Sequence, residues 1–493
     1  MEFDVVICGG GPNGLMTACE LALAGVRPVV IEPRTGPSTE QRANGMVGQV
    51  VRLLDRRGLY ERLSGGAHPA PVEHFMFAAF PLPFGRLEHN PVHTILVPQQ
   101  RIEAMLAERA RELGVEIRGG HTLTGLAQKD DMVVAEINGP DGSYSLESAF
   151  LIGADGGRSV TRKLSGIDFP GVTTDKTVSR AAHVSVPDSL RDPISGGLRI
   201  PAYGVIPPFL HHRTERGLVS FAPFPDGRTL ISASTTSRPA GEEPFSVDEL
   251  RDVLEYVLGV PVPIGPPAGD GPHMLRRTVG GNTRIADRYR DGRVLLVGDA
   301  AHVHSAIGGP GLNLGLQDAV NLAWKLAATV RGWAPDGLLD TYEIERRPAA
   351  ERVTMQTQAQ SVLVGPGPEV TALRVLFGEL LEEPAVLQRV ADLIAGADFR
   401  YDMGAPGPWV GRFSPDLGDV QRQGRAVLVD NTGRLAGVAA PWSDRVDVVG
   451  VPVDGVAAML VRPDGYVAWA AATGGEPDVA ALETALTRWF GAA

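Results

Sequence analysis

Residues 4–14 read DVVICGGGPNG, and LMTACELALAG (15–25) and RPVVIE (27–32) come after them. The first run is apolar and partly β-branched, which is typical of a buried parallel strand. The second run has helical spacing and stops at Gly25, and the third predicts a strand that ends at Glu32. The order of strand, glycine turn, helix and strand predicts a Rossmann-like α/β unit at the start of the chain.

The glycine turn has the spacing Gly9-x-Gly11-x-x-Gly14. In such turns one glycine makes the tight bend, one lets the backbone approach a pyrophosphate, and one lets helix and strand pack closely. The helix N-terminus then directs N–H groups at the phosphates. Glu32 follows Gly14 by 18 residues, at a strand end where it can accept hydrogen bonds from a ribose. This context favours a dinucleotide site over the alternative, a glycine turn with an incidental acid.

The composition excludes several classes of protein. A chain of 493 residues predicts roughly three domains, and 43% hydrophobic with 21% charged residues argues against disorder. A net charge of −12 without a dense Lys/Arg run argues against nucleic acid or an anionic membrane as a partner. There is no apolar run long enough to predict a membrane span. Cys8 and Cys19 lie in apolar runs without a disulfide framework, so the sequence predicts a cytoplasmic protein.

The remaining sequence predicts more helices and a second kind of sheet. The segments 72–97 and 171–270 predict antiparallel strands separated by turn residues. Ser246 and Glu249 have the spacing of a capping box at the start of one helix. The predicted helices cover 46–57, 98–114, 246–259, 313–330 and 477–490, with more helix between 331 and about 395.

Two further motifs follow apolar strands. The first is GADGGRS at 153–159, and the second is GDAAH at 298–302 with GGPGLN at 308–313 before a helix. Asp299 could bind sugar-like hydroxyls, and the second glycine run with its helix N-terminus could face a developing anion. Taken singly, each motif is equally consistent with an ordinary junction between a strand and a turn.

The three motifs, in this order and spacing, resemble those of a known family. Further matching stretches are VPQQRIEAML (97–106), LLDTYEIERRPAAERV (338–353) and AMLVRPDGYVAWA (458–470). Together they make the chain similar to the single-component FAD-dependent aromatic hydroxylases. These are the group A flavoprotein monooxygenases related to para-hydroxybenzoate and phenol hydroxylases. Within that group the chain most resembles the bacterial hydroxylases of aromatic polyketides and rifamycin-type antibiotics.

The resemblance implies an α/β fold in several parts. It implies a Rossmann-like FAD-binding domain, an inserted antiparallel-sheet domain that binds substrate, a helical connection and a C-terminal thioredoxin-like domain. No cysteine lies in the last of these, which excludes redox exchange there. The predicted boundaries are 1–71 with 98–170 and 271–330 for FAD, 72–97 with 171–270 for substrate, 331–395 for the connection, and 396–493 for the thioredoxin-like domain.

The same resemblance assigns cofactor-binding residues. The glycines would hold the FAD pyrophosphate, Glu32 the adenosine ribose, and Asp299 a ribityl hydroxyl. Arg42 would lie near the pyrophosphate, Gln99 near the ribityl chain, and Leu123 would contact the adenine side through its backbone. Asp155 would serve both FAD and the nicotinamide cofactor, and residues 311–313 would stabilise negative charge at the flavin pyrimidine end. The full predicted set is Gly9, Gly11, Pro12, Asn13, Gly14, Glu32, Arg42, Gln99, Leu123, Asp155, Asp299, Pro310, Gly311, Leu312 and Asn313.

The implied reaction belongs mainly to the cofactor. NADPH or NADH would reduce FAD, and reduced FAD with O2 would form a C4a-hydroperoxide that hydroxylates a polycyclic phenol. No catalytic acid or base is assigned. Two alternatives stay open: Baeyer–Villiger or ring-opening oxygenation of such a substrate or of an antibiotic, and a flavin-binding protein that does not oxygenate. The second alternative is suggested by Ala306 and Pro310, which replace the family's usual proline and glutamine.

Aromatic residues in the predicted sheet are the candidates for contact with a small aromatic substrate, although packing in the sheet core is the more common role of such residues. The candidates are Phe75, Phe77, Tyr203, Phe209, Phe221 and Phe224. The histidines at 211, 212, 302 and 304 lack an accompanying set of acids or cysteines, so no metal is predicted. A monomer or homodimer is expected.

Overall fold

The computed structural model describes residues 1–38, 45–224, 227–269 and 273–493. The helices are α1 Pro12–Leu23, α2 Gln49–Arg56, α3 Tyr60–Ser64, α4 Gln99–Glu112, α5 Val160–Leu164, α6 Val247–Leu258, α7 Pro310–Val330, α8 Thr341–Leu363, α9 Pro368–Leu381, α10 Pro384–Ala395, α11 Ala436–Ala439 and α12 Val479–Phe490. The strands are β1 Val5–Cys8, β2 Pro28–Glu32, β3 Met46–Val47, β4 Phe75–Phe77, β5 Phe80–Leu82, β6 Thr94–Ile95, β7 Glu116–Gly119, β8 Thr122–Gln128, β9 Val133–Gly139, β10 Gly142–Ser148, β11 Phe150–Gly153, β12 Gly171–His183, β13 Leu198–Ile200, β14 Gly204–Ile206, β15 His211–Thr214, β16 Gly217–Pro223, β17 Thr229–Thr235, β18 Leu275–Ile285, β19 Arg290–Asp291, β20 Val294–Leu296, β21 His302–Val303, β22 Ala426–Asp430, β23 Val446–Val449, β24 Val456–Val461 and β25 Val467–Ala472.

The first sheet has the strand order β19-β20-β11-β1-β2-β7. All of its neighbouring pairs are parallel except β19 with β20. Strand β1 lies in the middle with every residue buried, because α1 and α7 cover one face and the small sheet of β8, β9 and β10 covers the other. This arrangement confirms the predicted α/β class. It also places the glycine turn at the carboxyl end of β1, where ligands of such sheets bind.

The second sheet is antiparallel, with the order β15-β16-β17-β12-β18-β21. Helix α6 covers one of its faces through Leu250, Val253 and Leu254, which pack on Val219 and Ile231. The predicted boundary at residue 270 is wrong, because β18 pairs with β12 along most of its length. That strand is rich in arginine, threonine and glycine instead of alternating apolar residues, so its sequence gave no strand signal.

The segment 72–97 does not join either large sheet. Strands β4 and β5 form a separate two-stranded hairpin, and β6 pairs with β3. The pairing of β3 also corrects the predicted helix over 46–57, which begins only at Gln49. Gly48, with φ of 83°, turns the chain between strand and helix.

Helix α6 begins as predicted at Ser246, whose hydroxyl accepts a hydrogen bond from the Glu249 backbone N–H. The second half of the capping box is absent. The Glu249 carboxylate instead accepts hydrogen bonds from Arg180 and Arg277 of the sheet, at 2.5 and 2.8 Å. Charge-assisted hydrogen bonds of this kind are stronger than the backbone contact they replace.

The C-terminal unit is a four-stranded sheet of order β23-β22-β24-β25, packed by α12. Its core includes Leu428, Leu460, Leu486 and Trp489, and reaches Trp324 of α7. The unit therefore packs directly on the first domain. Across the described residues, no helix is long and apolar enough to cross a membrane.

Candidate functional site

The glycine turn between β1 and α1 leaves space where a ligand backbone could approach. A Cβ on Gly14 would overlap the carbonyl oxygen of Gly9, so helix and strand pack closely at this point. Among the residues that the structure describes, none has an atom within 4 Å of a Cβ placed on Gly11, and Gly11 has an extended backbone with φ of −76°. Pro12 occupies the first position of α1, where a missing N–H costs nothing. The turn thus exposes Gly11 to open space at the positive end of a helix.

Glu32 lies beside this turn at the end of β2. Its Oε2 accepts a hydrogen bond from the Gly10 N–H at 2.6 Å, and its Oε1 accepts from the Arg34 backbone N–H and Nε at 2.9 and 2.7 Å. Burial raises the pKa of Glu32, but the hydrogen bonds from Arg34 and Gly10 outweigh burial and leave that pKa lowered. Each carboxylate oxygen has two acceptor sites, so Oε2 of the ionised group can still accept one hydrogen bond from a ribose hydroxyl.

Sequence reasoning missed two residues at this end of the site. Arg34 Nη1 lies 3.3 Å from Glu103 of α4, and Glu103 accepts a hydrogen bond from Gln99 Nε2 at 2.8 Å. The i,i+4 spacing of Gln99 and Glu103 on a helix was the signal available in the sequence. This network joins the predicted Gln99 to Glu32 along one wall.

A cavity of about 1390 Å³ runs from the glycine turn to the loop before α7. Gly11 and Glu32 line one end, and the other end is lined by His304, Ala306, Gly308, Gly309, Gly311 and Leu312. The predicted residues that line it are Gly9, Gly11, Pro12, Asn13, Glu32, Gln99, Asp155, Asp299, Gly311, Leu312 and Phe75. The structure therefore brings all three motifs to one elongated space.

The third motif presents a free carboxylate to this cavity. Asp299 is exposed, and its carboxylate has no hydrogen-bond or ion-pair partner among the residues that the structure describes. Behind it, Asn313 holds the loop by accepting from the Val47 N–H at 3.1 Å and donating to the Gly309 carbonyl at 3.2 Å. Pro310 takes the first position of α7, which explains why a proline is tolerated there. Pro310 and Asn313 line a smaller adjoining cavity of about 50 Å³.

A buried ion-pair network supports the same loop. Asp318 of α7 lies 2.6 Å from His302 Nε2 and 2.7 Å from Arg346 Nε, and it accepts a hydrogen bond from the Gly298 N–H at 3.3 Å. Burial raises the pKa of Asp318, but Arg346 and His302 outweigh it and lower that pKa. His302 thus belongs to an ion pair, and the described residues contain no cluster suited to a metal ion.

Three predicted cofactor residues have other surroundings. The Asp155 carboxylate accepts hydrogen bonds from Ser159 Oγ, the Val160 and Thr161 N–H groups and Thr161 Oγ1, so it caps the start of α5 while its turn lines the cavity. The Leu123 side chain is buried in the cluster under the first sheet. Arg42 lies outside the described residues.

Of the predicted substrate contacts, only Phe75 lines the large cavity. Phe221 is fully buried against α6, and Tyr203 packs against the same cluster with its hydroxyl 2.5 Å from His212 Nε2. Phe77 is buried in a separate cluster beneath α10. Phe209 and Phe224 form an edge-to-face pair with ring centroids 6.1 Å apart, away from the cavity lining.

The opposite face of the antiparallel sheet carries small side chains instead. Cross-strand pairing places His211, Ser220, Ser232, Ala181 and Arg276 in one row across β15, β16, β17, β12 and β18. Arg276 lines the cavity, and the other four residues lie on the same face of the sheet as Arg276, whereas Phe221 and its partner Ile231 face α6. We name these five residues the cavity-side row.

The residues fit a flavin dinucleotide. Open space at Gly11 suits a pyrophosphate, and the Glu32 carboxylate suits a ribose. The unpaired Asp299 lines the same cavity and suits the polyol chain of the cofactor. The N-terminus of α7 would then face the ring system. The fold and site define a dinucleotide-binding flavoprotein.

The chain belongs to the FAD-dependent aromatic monooxygenases. Residues 2–357 match the family described as FAD binding domain, and residues 408–493 match the family described as aromatic-ring hydroxylase, C-terminal. FAD is therefore the cofactor of this fold.

Several relatives share the whole length of the chain. It is 41% identical to the 12-dehydrotetracycline 5-monooxygenase/anhydrotetracycline 6-monooxygenase of Streptomyces rimosus subsp. rimosus, covering 100% of this chain and 99% of that protein. It is 39% identical to the rifampicin monooxygenase of Streptomyces venezuelae, with the same coverage. The solved structure of the anhydrotetracycline hydroxylase OxyS of Streptomyces rimosus has a TM-score of 0.85, with 39% identity and 100% of both chains covered.

One relative has a name of another kind. The dialkyldecalin synthase of Streptomyces rugosporus is 36% identical and covers 100% of both chains. The fold therefore includes proteins that are not named as monooxygenases, which bears on the second candidate function below.

Proposed function

We propose that this protein uses NAD(P)H and O2 to hydroxylate a polycyclic phenolic substrate of the aromatic polyketide type. The observation that carries the proposal is the elongated cavity, whose lining includes the loop before α7 and Arg276 of the cavity-side row. The tetracycline and rifampicin monooxygenases that resemble the chain along its whole length support the substrate class. Bound FAD would supply electron transfer from the nicotinamide and the activation of O2.

The residues of the chain would bind and orient the cofactor. The glycine turn and the N-terminus of α1 would hold the pyrophosphate, with Glu32 on the adenosine ribose and Asp299 on the ribityl chain. We extend this proposal to Gln99, Leu123, Asp155 and Arg42. At the far end, N–H groups of residues 311–313 would stabilise negative charge on the reduced ring, because the amino end of α7 is positive.

The cavity-side row would form the floor under a flat substrate. Ser220 and Ser232 lie 2.6 Å apart by their hydroxyls, and Ala181 is next to them in the row. Small side chains leave depth for fused rings, and hydroxyl groups can exchange hydrogen bonds with phenolic and keto groups. Phe75 would cover the substrate from the β4–β5 hairpin.

Replacing Ala181 by Trp is expected to block substrate without disturbing FAD. The indole would project from the middle of the row towards the cavity, and overpacking of this kind costs about 1–3 kcal/mol, or about 30-fold in affinity at the middle of that range. Substrate-dependent NADPH oxidation should fall accordingly, while the flavin spectrum stays unchanged. Phe221→Leu, on the opposite face, is the control, and equal losses in both variants would contradict the proposed floor.

The function is tested with purified holoenzyme, NADPH, labelled O2 and anhydrotetracycline. The expected result is NADPH oxidation that depends on anhydrotetracycline and a product that gains one labelled oxygen atom. The position of that atom in the product distinguishes ring hydroxylation from Baeyer–Villiger or ring-opening oxygenation. No oxygenated product from anhydrotetracycline or from other fused-ring phenols would overturn the proposal.

A second candidate function is a flavin-binding protein that does not oxygenate. The whole-length similarity to dialkyldecalin synthase supports it, as does Ala306 in the loop at the far end of the cavity. Anaerobic reduction followed by mixing with O2 discriminates between the two, because only the oxygenase consumes O2 in step with product.

The setting of the enzyme is also part of the proposal. Cys8 and Cys19 are buried free thiols, which supports a reducing compartment such as the cytoplasm. We further propose that the C-terminal unit is thioredoxin-like and structural, and that the protein is a monomer or homodimer.

A further inference from the structure

One imidazole at the far end of the cavity has no part in holding the loop. His304 lines the cavity, and its Nδ1 lies 2.9 Å from the carbonyl oxygen of Ser305. Among residues that the structure describes, none forms a hydrogen bond or ion pair with its Nε2. This separates His304 from His302, whose Nε2 is bonded to Asp318.

The contact with Ser305 fixes the proton on the ring. A carbonyl oxygen only accepts, so Nδ1 carries the hydrogen and Nε2 keeps its lone pair. A Cβ on Gly311 would lie 3.6 Å from Nε2, so this edge of the ring lies beside the first turn of α7 with no side chain between them. His304 and Gly311 both line the cavity, so Nε2 lies at the end where the flavin ring would bind under the proposed function.

We propose that His304 is the general base that removes the phenolic proton of the substrate. The substrate O–H bond breaks and its electron pair stays on oxygen, while the proton joins the lone pair of Nε2. The products are a phenolate, which is the more electron-rich ring, and an imidazolium that later returns its proton to water. This inference rests on the proposed function, since it requires a phenolic substrate.

The surroundings keep the imidazole neutral and ready to accept. Burial lowers the pKa of His304 below its ordinary value of 6.5, against a smaller opposing effect of the Ser305 carbonyl. The groups that act on its pKa from its own segment are His302 and Asp299, and the other charged residues that line the cavity include Arg276 of β18 and Asp155 after β11. Arg276 has no ion-pair partner within the described ranges, so it can stabilise the phenolate that forms.

His211 is the competing base. It occupies the edge of the cavity-side row, and burial lowers its pKa as well. It does not line the large cavity, however, and its backbone N–H contacts Met76 of the β4–β5 hairpin. Replacing each histidine in turn therefore distinguishes the two candidates, because only the variant that lacks the base should lose the acid limb of the pH profile.

The kinetic test compares three variants of the holoenzyme with anhydrotetracycline and NADPH. His304→Gln should lower kcat by about 100-fold or more with little change in KM, because general bases contribute about that much. The remaining activity of this variant should rise with pH as the free phenol ionises. The acid limb of the wild-type profile of kcat against pH, which lies below pH 6.5, should be absent from the variant. His211→Gln should keep that limb. His93→Gln is the control, since its Nδ1 also lies 3.1 Å from a backbone carbonyl but outside the cavity.

A second measurement needs no substrate. In holoenzyme labelled with ¹⁵N-histidine, the signals of His304 are assigned as those that disappear in His304→Gln. In the wild type these signals should show the proton on Nδ1 and a neutral ring at pH 7. A proton on Nε2, or loss of the acid limb in His211→Gln in place of His304→Gln, would overturn the assignment. If wild-type enzyme does not oxygenate any fused-ring phenol, the proposed function fails, and the nitrogen signals still decide the state of His304.

Discussion

Gly11→Leu is expected to yield a folded protein that has lost FAD. The glycine has backbone angles open to any residue, and its added Cβ would meet no protein atom within 4 Å. The leucine side chain would instead fill the space before the N-terminus of α1, where the pyrophosphate approaches. Losing two charge-assisted hydrogen bonds of about 1.5–3 kcal/mol each weakens binding by about 100-fold or more. The flavin absorbance of the purified protein and titration with FAD measure this directly.

Gly14→Leu is the matched comparison within the same turn. Its Cβ would overlap the Gly9 carbonyl, so this variant should unfold or fail to accumulate, whereas Gly11→Leu keeps a native circular dichroism spectrum. The contrast separates a residue that contacts the ligand from one that packs the fold. A yellow Gly11→Leu protein with wild-type FAD affinity would contradict the phosphate role of the turn.

The parts of the site that the sequence predicted are those with a local geometric cause. Gly9, Gly14 and Glu32 are specified by a strand, a turn and a helix within 30 residues, and their placement in the structure agrees with the prediction of a dinucleotide turn. Arg34 and Glu103 are brought together from 69 positions apart, which no local pattern indicates. The sequence therefore identified the cofactor end better than the network around it.

The substrate end of the site was harder to predict from the sequence, because aromatic residues occur in hydrophobic cores as well as in pockets. Phe221 and Ser220 are neighbours on β16 and point to opposite faces, and the face that is apolar packs against α6. The sequence predicts the alternation of side chains along a strand. The face of the sheet that lies towards the cavity, however, depends on the pairing of β12 with β18. Small residues such as Ala181 carry no signal of their own until that pairing is known.

A cluster of buried charges joins the C-terminal unit to the flavin domain. Arg462, in the turn between β24 and β25, donates to both oxygens of Glu345 on α8, at 2.6 and 2.7 Å. Lys325 of α7 lies 2.7 Å from the same carboxylate, and Asp464 bonds Arg462. All four side chains are nearly or fully buried, and their charges balance. The next residue on α8, Arg346, bonds Asp318 behind the loop that carries Asp299.

Glu345→Gln is therefore expected to lower the free energy of unfolding by about 3–5 kcal/mol, because it leaves two buried cations with one carboxylate between them. Burial raises the pKa of Glu345, but Arg462 and Lys325 outweigh it and lower that pKa to about 2. A lowered carboxyl pKa contributes stability that is complete above the ordinary value of 4.5 and is lost as pH falls towards 2. The difference between wild type and variant in the free energy of unfolding by urea should thus be largest above pH 4.5 and shrink in acid.

Glu351→Gln, which removes an exposed ion pair with Arg347 on the same helix, is the control and should lower the free energy of unfolding by no more than about 1 kcal/mol at any pH. A pH-independent difference would mean that Glu345 acts by packing alone and that its charge does not hold the C-terminal unit in place.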